Sequence, residues 1–497
     1  MKRILTYILI SFAIHVSHAG EIIINSGEDL HEALRKAREW RRTNDPRCKD
    51  GITILIRNGR YYMNEPLFLR PEDSGTAASP LTIRGEQGAV ICGDPRQKHT
   101  QIWPKQGMER MIDFNTTNRT ITIPTPPQQV LDTKNLEMVV HQRWAIAILR
   151  VKEMKVQGSK TIVTFMEPES HLEFEHPWPQ PVIGGERENS SFLLRTTDQR
   201  DGIEQLVILD GANHVTIQGI TFENTCWNRP LHKGHVTLQG GYPLLDAYKL
   251  AVPGLPWDQG LENQAWIERP VSAVTVRNAQ HVNFRDCSFQ HLAATALDYE
   301  SIDQGTIEGC TFEDIGGTAI MAGSFAESPL EVHQPYTNLA EKCRGLNILK
   351  NTIHDATNED WGAVGICVGY ARECFIWENT VCHVNYSGIC VGWGWTPHYT
   401  GMENNRIVRN KVNDYARQLY DAGGIYTLSN QPGSVIRDNE ISQAYPAPYA
   451  TNNRAFCIYL DARTDGFTVE NNKTEGRLIR RNEIGDNHPG PNLIFRQ

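Results

Sequence analysis

Short runs of alternating apolar and polar residues, each closing on an Asn or a Cys, recur along the chain from Val215 onward. They include Val282-Asn-Phe-Arg-Asp-Cys287-Ser-Phe, Thr306-Ile-Glu-Gly-Cys310-Thr-Phe, Leu346-Asn-Ile-Leu-Lys-Asn351-Thr-Ile and Phe375-Ile-Trp-Glu-Asn379-Thr-Val. Ile407-Val-Arg-Asn410-Lys-Val, Val435-Ile-Arg-Asp-Asn439-Glu-Ile and Leu478-Ile-Arg-Arg-Asn482-Glu-Ile continue the series, and Val215 to Phe222 and Phe467 to Asn472 are looser copies. A local period of two predicts strands. The steps along positions 287, 310, 351, 379, 410, 439 and 472 are 23, 41, 28, 31, 29 and 33 residues. A minimum step with variable excess describes one coil plus loops of differing length. The expected fold is therefore all-β, a right-handed parallel β-helix of roughly ten coils. Successive strands in such a solenoid lie ~4.8 Å apart, so an Asn at a fixed corner can hydrogen-bond to the next. An antiparallel sandwich or propeller would show hairpin turns and no Asn column.

A second column repeats the 23-residue step, from 297 to 320 and again from 366 to 389. Leu297, Ile320, Ile366, Ile389, Ile425 and Ile458 each sit in a short strand and are expected in the core. The neighbouring residues Asp298, Met321, Cys367, Cys390, Tyr426 and Tyr459 then face outward, followed by Glu300, Gly323, Gly369, Gly392, Leu428 and Asp461. The glycines would form a flat shelf bounded by carboxylates and aromatics. With reversed facing, Cys367 and Cys390 would instead stack inside.

The ends and insertions divide the chain. Residues 1–19 read as a secretory signal: Lys2 and Arg3 precede an apolar stretch from Ile4 to Ile14, and Ser17-His18-Ala19 is a small-x-small cleavage site. That stretch is too short to span a bilayer, so no membrane span is expected. The protein should be secreted or periplasmic. Residues 20–96 hold an N-terminal cap and the first coils, with an amphipathic helix from Glu28 to Thr43 and Ser26 as its N-cap. The repeat breaks at 97–203, where Val139 to Pro168 is rich in β-branched residues, giving a small inserted β domain. The main β-helix occupies 204–497, with a Pro- and aromatic-rich loop at Asn228 to Pro270 that would wall a cleft.

Composition narrows the function. The chain has 497 residues, 49 basic against 58 acidic, and a net charge of -9 without a basic run. A broad nucleic-acid-binding face is excluded. There are 11 cysteines and no Cys-x-x-Cys pair. No His/Cys group has metal-ligand spacing along the chain, so neither a metal nor another cofactor is expected.

The densest polar and aromatic cluster runs from His354 to Asp465. It contains His354-Asp355, Asn358-Glu359-Asp360-Trp361, Trp393-Gly-Trp395, Tyr420-Asp421, Asn430-Gln431-Pro432 and Ile458-Tyr459-Leu-Asp461. Carboxylates beside Trp and Tyr suit glycoside hydrolysis. One carboxyl protonates the leaving oxygen, the other attacks the anomeric carbon or activates water, and aromatic faces stack on sugar rings. Trp361, Trp393, Trp395, Tyr426, Asn430, Gln431, Tyr459 and His354 are the expected substrate-binding residues.

The segments Asp421-Ala-Gly-Gly-Ile-Tyr-Thr-Leu-Ser-Asn-Gln-Pro-Gly-Ser434, Tyr386-Ser-Gly-Ile-Cys-Val-Gly-Trp-Gly-Trp395 and Ile458-Tyr-Leu-Asp461 resemble those of β-helix glycoside hydrolases, closest to glycoside hydrolase family 141. The resemblance runs from Ile52 to Asn482 and is weakest in the insert. Ala422 stands where the motif has Gly. The resemblance implies activity on α-L-fucosides or xylan, with Asp421 and Asp461 as the acidic pair; the cluster itself offers Glu359 or Asp360 as a third acid. The expected substrate is a plant or other complex polysaccharide, or an oligosaccharide of one.

Two other readings fit a β-helix. A polysaccharide lyase would need a basic residue or Tyr as base, and a cation to neutralise a uronate; the cluster has few basic residues. A non-catalytic glycan-binding β-helix would need neither. Register leaves one difficulty for the hydrolase. Asp421 lies four residues before Ile425 and Asp461 three after Ile458, an offset that would part them by ~23 Å in extended chain. Convergence requires the Asp421 turn to fold back, which Gly423 and Gly424 would allow.

Overall fold

The computed structural model describes residues 20–25, 27, 29–175, 177, 179–185, 189–247, 266–327, 330–331, 339–395, 399–445, 455–475, 479–481 and 492–496. The expected signal segment 1–19, the proposed cap Ser26 and Asn482 lie outside these residues.

Three parallel sheets run the length of a right-handed β-helix. The first and second are joined by long strands such as Thr295–Glu308, which pairs with Ile320–Ala322 at its start and Arg344–Leu349 at its end, so that together they form one 21-stranded array. The third has ten strands, from Gly59–Tyr62 to Lys473–Thr474. The Asn379 and Asn410 runs pair in parallel, Ile376 opposite Ile407, as the repeat predicts.

The core follows the predicted columns. Leu297, Ile320, Ile366, Ile389, Ile425 and Ile458 are in register and completely buried. The asparagines form a continuous ladder at the corner between the second and third sheets. Asn351 Nδ2 donates to Asn379 Oδ1, Asn379 Nδ2 to Asn410 Oδ1, and Asn410 Nδ2 to Asn439 Oδ1, at 2.9, 2.9 and 3.0 Å. Each backbone N–H makes the same step, and each amide also donates to a strand carbonyl. A buried turn thereby has its polar groups satisfied, which is the condition for burying it at all.

The N-terminal end is closed by the helix Leu30–Arg42, which buries Leu30, Ala33, Leu34, Ala37 and Trp40. Its N-cap is Asp29, three residues later than the expected Ser26; Asp29 accepts from the His31 N–H at 2.9 Å. Between the early and main coils, strands from His99–Trp103 to Ser191–Thr197 form an antiparallel sheet. His235–Leu238, from the second loop, adds to the same sheet by pairing with Ala145–Gln157. All eleven cysteines are free thiols. Among the described residues, no helix is long and apolar enough to cross a membrane.

Candidate active site

Asp421 and Asp461 stand at opposite ends of neighbouring strands of the first sheet. Asp421 precedes Ala422–Thr427, and Asp461 follows Ala455–Leu460. Tyr426 and Tyr459 are register partners between them, with rings edge-on at 5.2 Å and 88°. The Tyr459 hydroxyl donates to Asp421 Oδ1 at 3.1 Å. The Tyr426 hydroxyl donates to Asp461 Oδ2. Each carboxylate is thus held by the tyrosine of the other coil, and the tyrosine pair bridges them.

The turn that permits this is Asp421 itself, at φ 62°; aspartate is among the few residues other than Gly that tolerate this region. Gly423 and Gly424 lie inside the strand and are needed for another reason. A Cβ on Gly423 would sit 3.0 Å from Tyr459 Cβ, and one on Gly424 would sit 2.5 Å from Ile441 Cγ2. The glycines allow close packing on the two faces of the strand and do not form the turn.

Two residues missed from sequence complete the cluster. The Tyr386 hydroxyl donates to the Asp421 carbonyl at 3.1 Å. Gln239 Nε2 reaches the Tyr386 and Tyr426 hydroxyls at 2.9 and 3.0 Å. Burial pushes both hydroxyls well above the usual tyrosine range. The charges of Asp421 and Asp461 add to this at Tyr386, and that of Asp461 adds to it at Tyr426. Both tyrosines therefore remain protonated donors at any working pH. Below them, Tyr426, Leu428, Phe456, Tyr459 and Ala462 form an apolar cluster separate from the main core, with Trp395 and Cys390 packed against it. This placement fixes the outward facing of the Tyr426 and Tyr459 column.

The shelf is roofed rather than open. Tyr242 donates to Met321 Sδ at 3.1 Å. Arg269 pairs with Asp298 through two bonds of 2.6 Å. Trp393 is buried among Tyr242, Phe325 and Trp395. The inserted sheet closes the other side: the Tyr420 N–H donates to Arg143 O at 3.2 Å, and His141 Nε2 lies 2.8 Å from Gln418 O. Burial lowers His141 to a pKa of about 4, so its ring is neutral there and its N–H donates.

The remaining expected residues lie elsewhere. Glu359 is held by His99 at 2.8 Å and Arg195 at 3.7 Å from the insert. Burial pushes its pKa up, but His99, Arg195 and Arg96 outweigh burial and hold it below the usual glutamate range. Asp360 accepts from the Gly362 N–H and pairs with His235 at 2.9 Å. These two carboxylates anchor the insert to the solenoid. Gln431 is buried and its amide is fully used, donating to Val391 O and Leu428 O and accepting from Asn405. His354 lies on the third sheet, beside Cys382. Trp361 is half-buried against the core, and Asn430 is half-buried at the start of the strand Asn430–Arg437. A cavity of about 250 Å³ is lined by Trp227, His235, Asp360 and Ala363 and by Gly240 and Gly241 of the Gln239–Gly241 turn.

The arrangement presents two acceptor carboxylates, two permanent phenol donors and an apolar aromatic floor. Known proteins share parts of this chain. A profile described as the GH141 insertion domain matches residues 96–200. One solved structure, described as a glycoside hydrolase, is 30% identical with a TM-score of 0.86 over 96% of each chain. A GH136 lacto-N-biosidase from Eubacterium ramulus is 11% identical, with a TM-score of 0.38 over 90% of this chain and 62% of that one. An exopolygalacturonase from Thermotoga maritima is 11% identical, with a TM-score of 0.32 over 92% of each chain. No curated protein matches the chain.

Proposed function

The chain belongs to the glycoside hydrolases and carries the insertion domain of family 141, and from that premise we propose that it is an exported enzyme using Asp421 and Asp461 as its catalytic pair. One carboxyl protonates the glycosidic oxygen, and the other attacks the anomeric carbon or activates a water. The observation that carries this reading is the crossed pairing, Tyr459 on Asp421 and Tyr426 on Asp461. It brings two carboxylates from opposite strand ends to one tyrosine pair. Trp395, half-buried against the Phe456 and Tyr459 cluster, serves as the platform for the apolar face of a sugar ring. The substrate is a complex glycan, with α-L-fucosides and xylan the first to try. Asp360 and Glu359 hold the insert in place and do not act on substrate.

The test is turnover on α-L-fucoside and xylan oligosaccharides. Asp421→Asn and Asp461→Asn should each lower turnover by orders of magnitude, ~10²–10⁴-fold for lost acid–base catalysis, with little change in melting temperature. The product should be a new reducing end without the near-ultraviolet absorbance of an unsaturated uronate. A variant that keeps near-normal turnover removes that residue from the pair.

A further inference from the structure

Three side chains that are far apart in sequence meet on the outside of the third sheet. His354 and Cys382 are register partners in the strands Thr352–Ala356 and Thr380–Val384. His383 follows in a left-handed conformation, φ 56°. One ring nitrogen of each histidine and the Cys382 sulfur all lie within 4.8 Å of one another. His354 is exposed, and Cys382 and His383 are half-buried, so solvent reaches the group.

With both rings neutral, the hydrogen bonds set their tautomers. His383 Nε2 lies 2.6 Å from Asp414 Oδ2, and a carboxylate only accepts, so Nε2 carries the proton. His383 Nδ1 then offers a lone pair, which accepts the His354 Nε2–H at 2.7 Å. The rings are edge-on at 88°. A single proton therefore occupies the line between two imidazole nitrogens, with a thiol beside it. A tetrahedral zinc ion holds two nitrogens at 2.0–2.1 Å, which sets them roughly 3.3 Å apart. Opening the pair by about half an ångström and moving the His354 proton to Nδ1 would replace that proton with a metal. The carboxylate behind His383 is the outer partner that metal-bound histidines usually have.

The same column contains its own control. His291 also takes a left-handed φ, 53°, and its Nδ1 lies 2.7 Å from Asp314 Oδ2. The register pair beside it is Gln290 and Glu313, without a second imidazole or a thiol. A His–Asp contact is thus an ordinary device of this corner, and His354 with Cys382 makes the later one different.

We propose that His354, Cys382 and His383 form a binding site for zinc or a similar thiolate- and imidazole-seeking divalent cation, with Asp414 orienting His383. The ion would tie together three successive coils through the strands Thr352–Ala356, Thr380–Val384 and Lys411–Tyr415. It is separate from the carboxylate pair.

The full chain, stripped with a chelator, is titrated with zinc chloride by calorimetry and with cobalt(II) by absorbance. Expected are one ion per chain, a sulfur-to-cobalt charge-transfer band and a zinc-dependent rise in melting temperature. Cys382→Ser should abolish the band. His383→Ala and the exposed His354→Ala should each weaken zinc by at least 100-fold, Asp414→Asn by ~10–100-fold, and His291→Ala should change nothing. If His383→Ala does not fold, His354→Ala alone decides. Absence of binding at micromolar zinc, or equal affinity in the His354 and Cys382 variants, overturns the site.

Discussion

The Tyr459 hydroxyl donates to Asp421 Oδ1 at 3.1 Å across two coils, although straight register would leave that carboxylate five residues from Tyr426, the strand partner of Tyr459. The left-handed turn at Asp421 and the length of the tyrosine side chain close the gap. The reciprocal bond from Tyr426 to Asp461 closes it from the other end.

These bonds should be visible in kinetics. A hydrogen bond to a charged group contributes ~1.5–3 kcal/mol, so Tyr426→Phe and Tyr459→Phe are each expected to lower kcat by roughly 10–100-fold. The apolar ring stays in place, so KM should change less than kcat. Unchanged kcat in both variants would show that the tyrosines only fill space.

The two glycines ahead of Ile425 should separate site from scaffold. A Cβ on Gly423 meets Tyr459 Cβ at 3.0 Å and Ile425 O at 2.6 Å, while one on Gly424 meets Ile441 Cγ2 at 2.5 Å in the core. Overpacking costs ~1–3 kcal/mol. Gly424→Ala should lower the unfolding free energy, read from chemical denaturation, by that amount with modest loss of kcat. Gly423→Ala should displace Tyr459 and lose kcat by more than its stability change accounts for. The reverse ranking would place the important contact on the core side.

Legibility from sequence followed the solenoid's geometry. Stacked coils turn equal spacing into contact, so the Asn and Ile columns could be read directly, and so could the positions of Tyr426 and Tyr459. Contacts from the inserts carry no period. Gln239 reaches Tyr386 and Tyr426 from 147 and 187 residues away, and no pattern announces it. The partners of the Glu359-Asp360-Trp361 cluster are hidden for the same reason: its carboxylates answer to His99, Arg195 and His235 in segments that the repeat does not include. Zinc-like spacing is a local pattern along the chain, whereas His354 and His383, 29 residues apart, meet across coils.

The asparagine ladder should be strongest at its middle. Asn410→Ala removes the acceptor for the Asn379 backbone N–H and amide, both fully buried, and the donor to Ile376 O. Buried groups left without partners cost ~1–3 kcal/mol each, so a loss of roughly 3 kcal/mol or more is expected by chemical denaturation. Asn472→Ala removes the same kind of acceptor from Asn439. Asn472 is half-buried, so water can substitute and the loss should be smaller. Equal losses at both positions would mean that the ladder's stabilisation does not depend on excluding water.

The last prediction concerns pH and the inserted sheet. Glu173, in the helix Glu169–Phe174, is buried and accepts from Gln142 Nε2. Gln142 ends the strand Leu136–Gln142, whose following turn contacts the Tyr420 segment. Burial raises Glu173 to a pKa of about 8, against a smaller lowering by Gln142. A folded-state pKa above the unfolded value of 4.5 means that the unfolded chain releases this proton first as pH rises. The contribution of Glu173 to stability is therefore complete below pH 4.5 and is lost progressively up to about pH 8, by on the order of a few kcal/mol. Glu173→Gln mimics the protonated acid and keeps the acceptor for Gln142, so it lacks this loss. Melting temperatures of the two proteins, measured in parallel from pH 5 to 8, should diverge with rising pH, the variant becoming the more stable. Parallel curves would show that Glu173 is already ionised in the folded protein and that some further group solvates its charge.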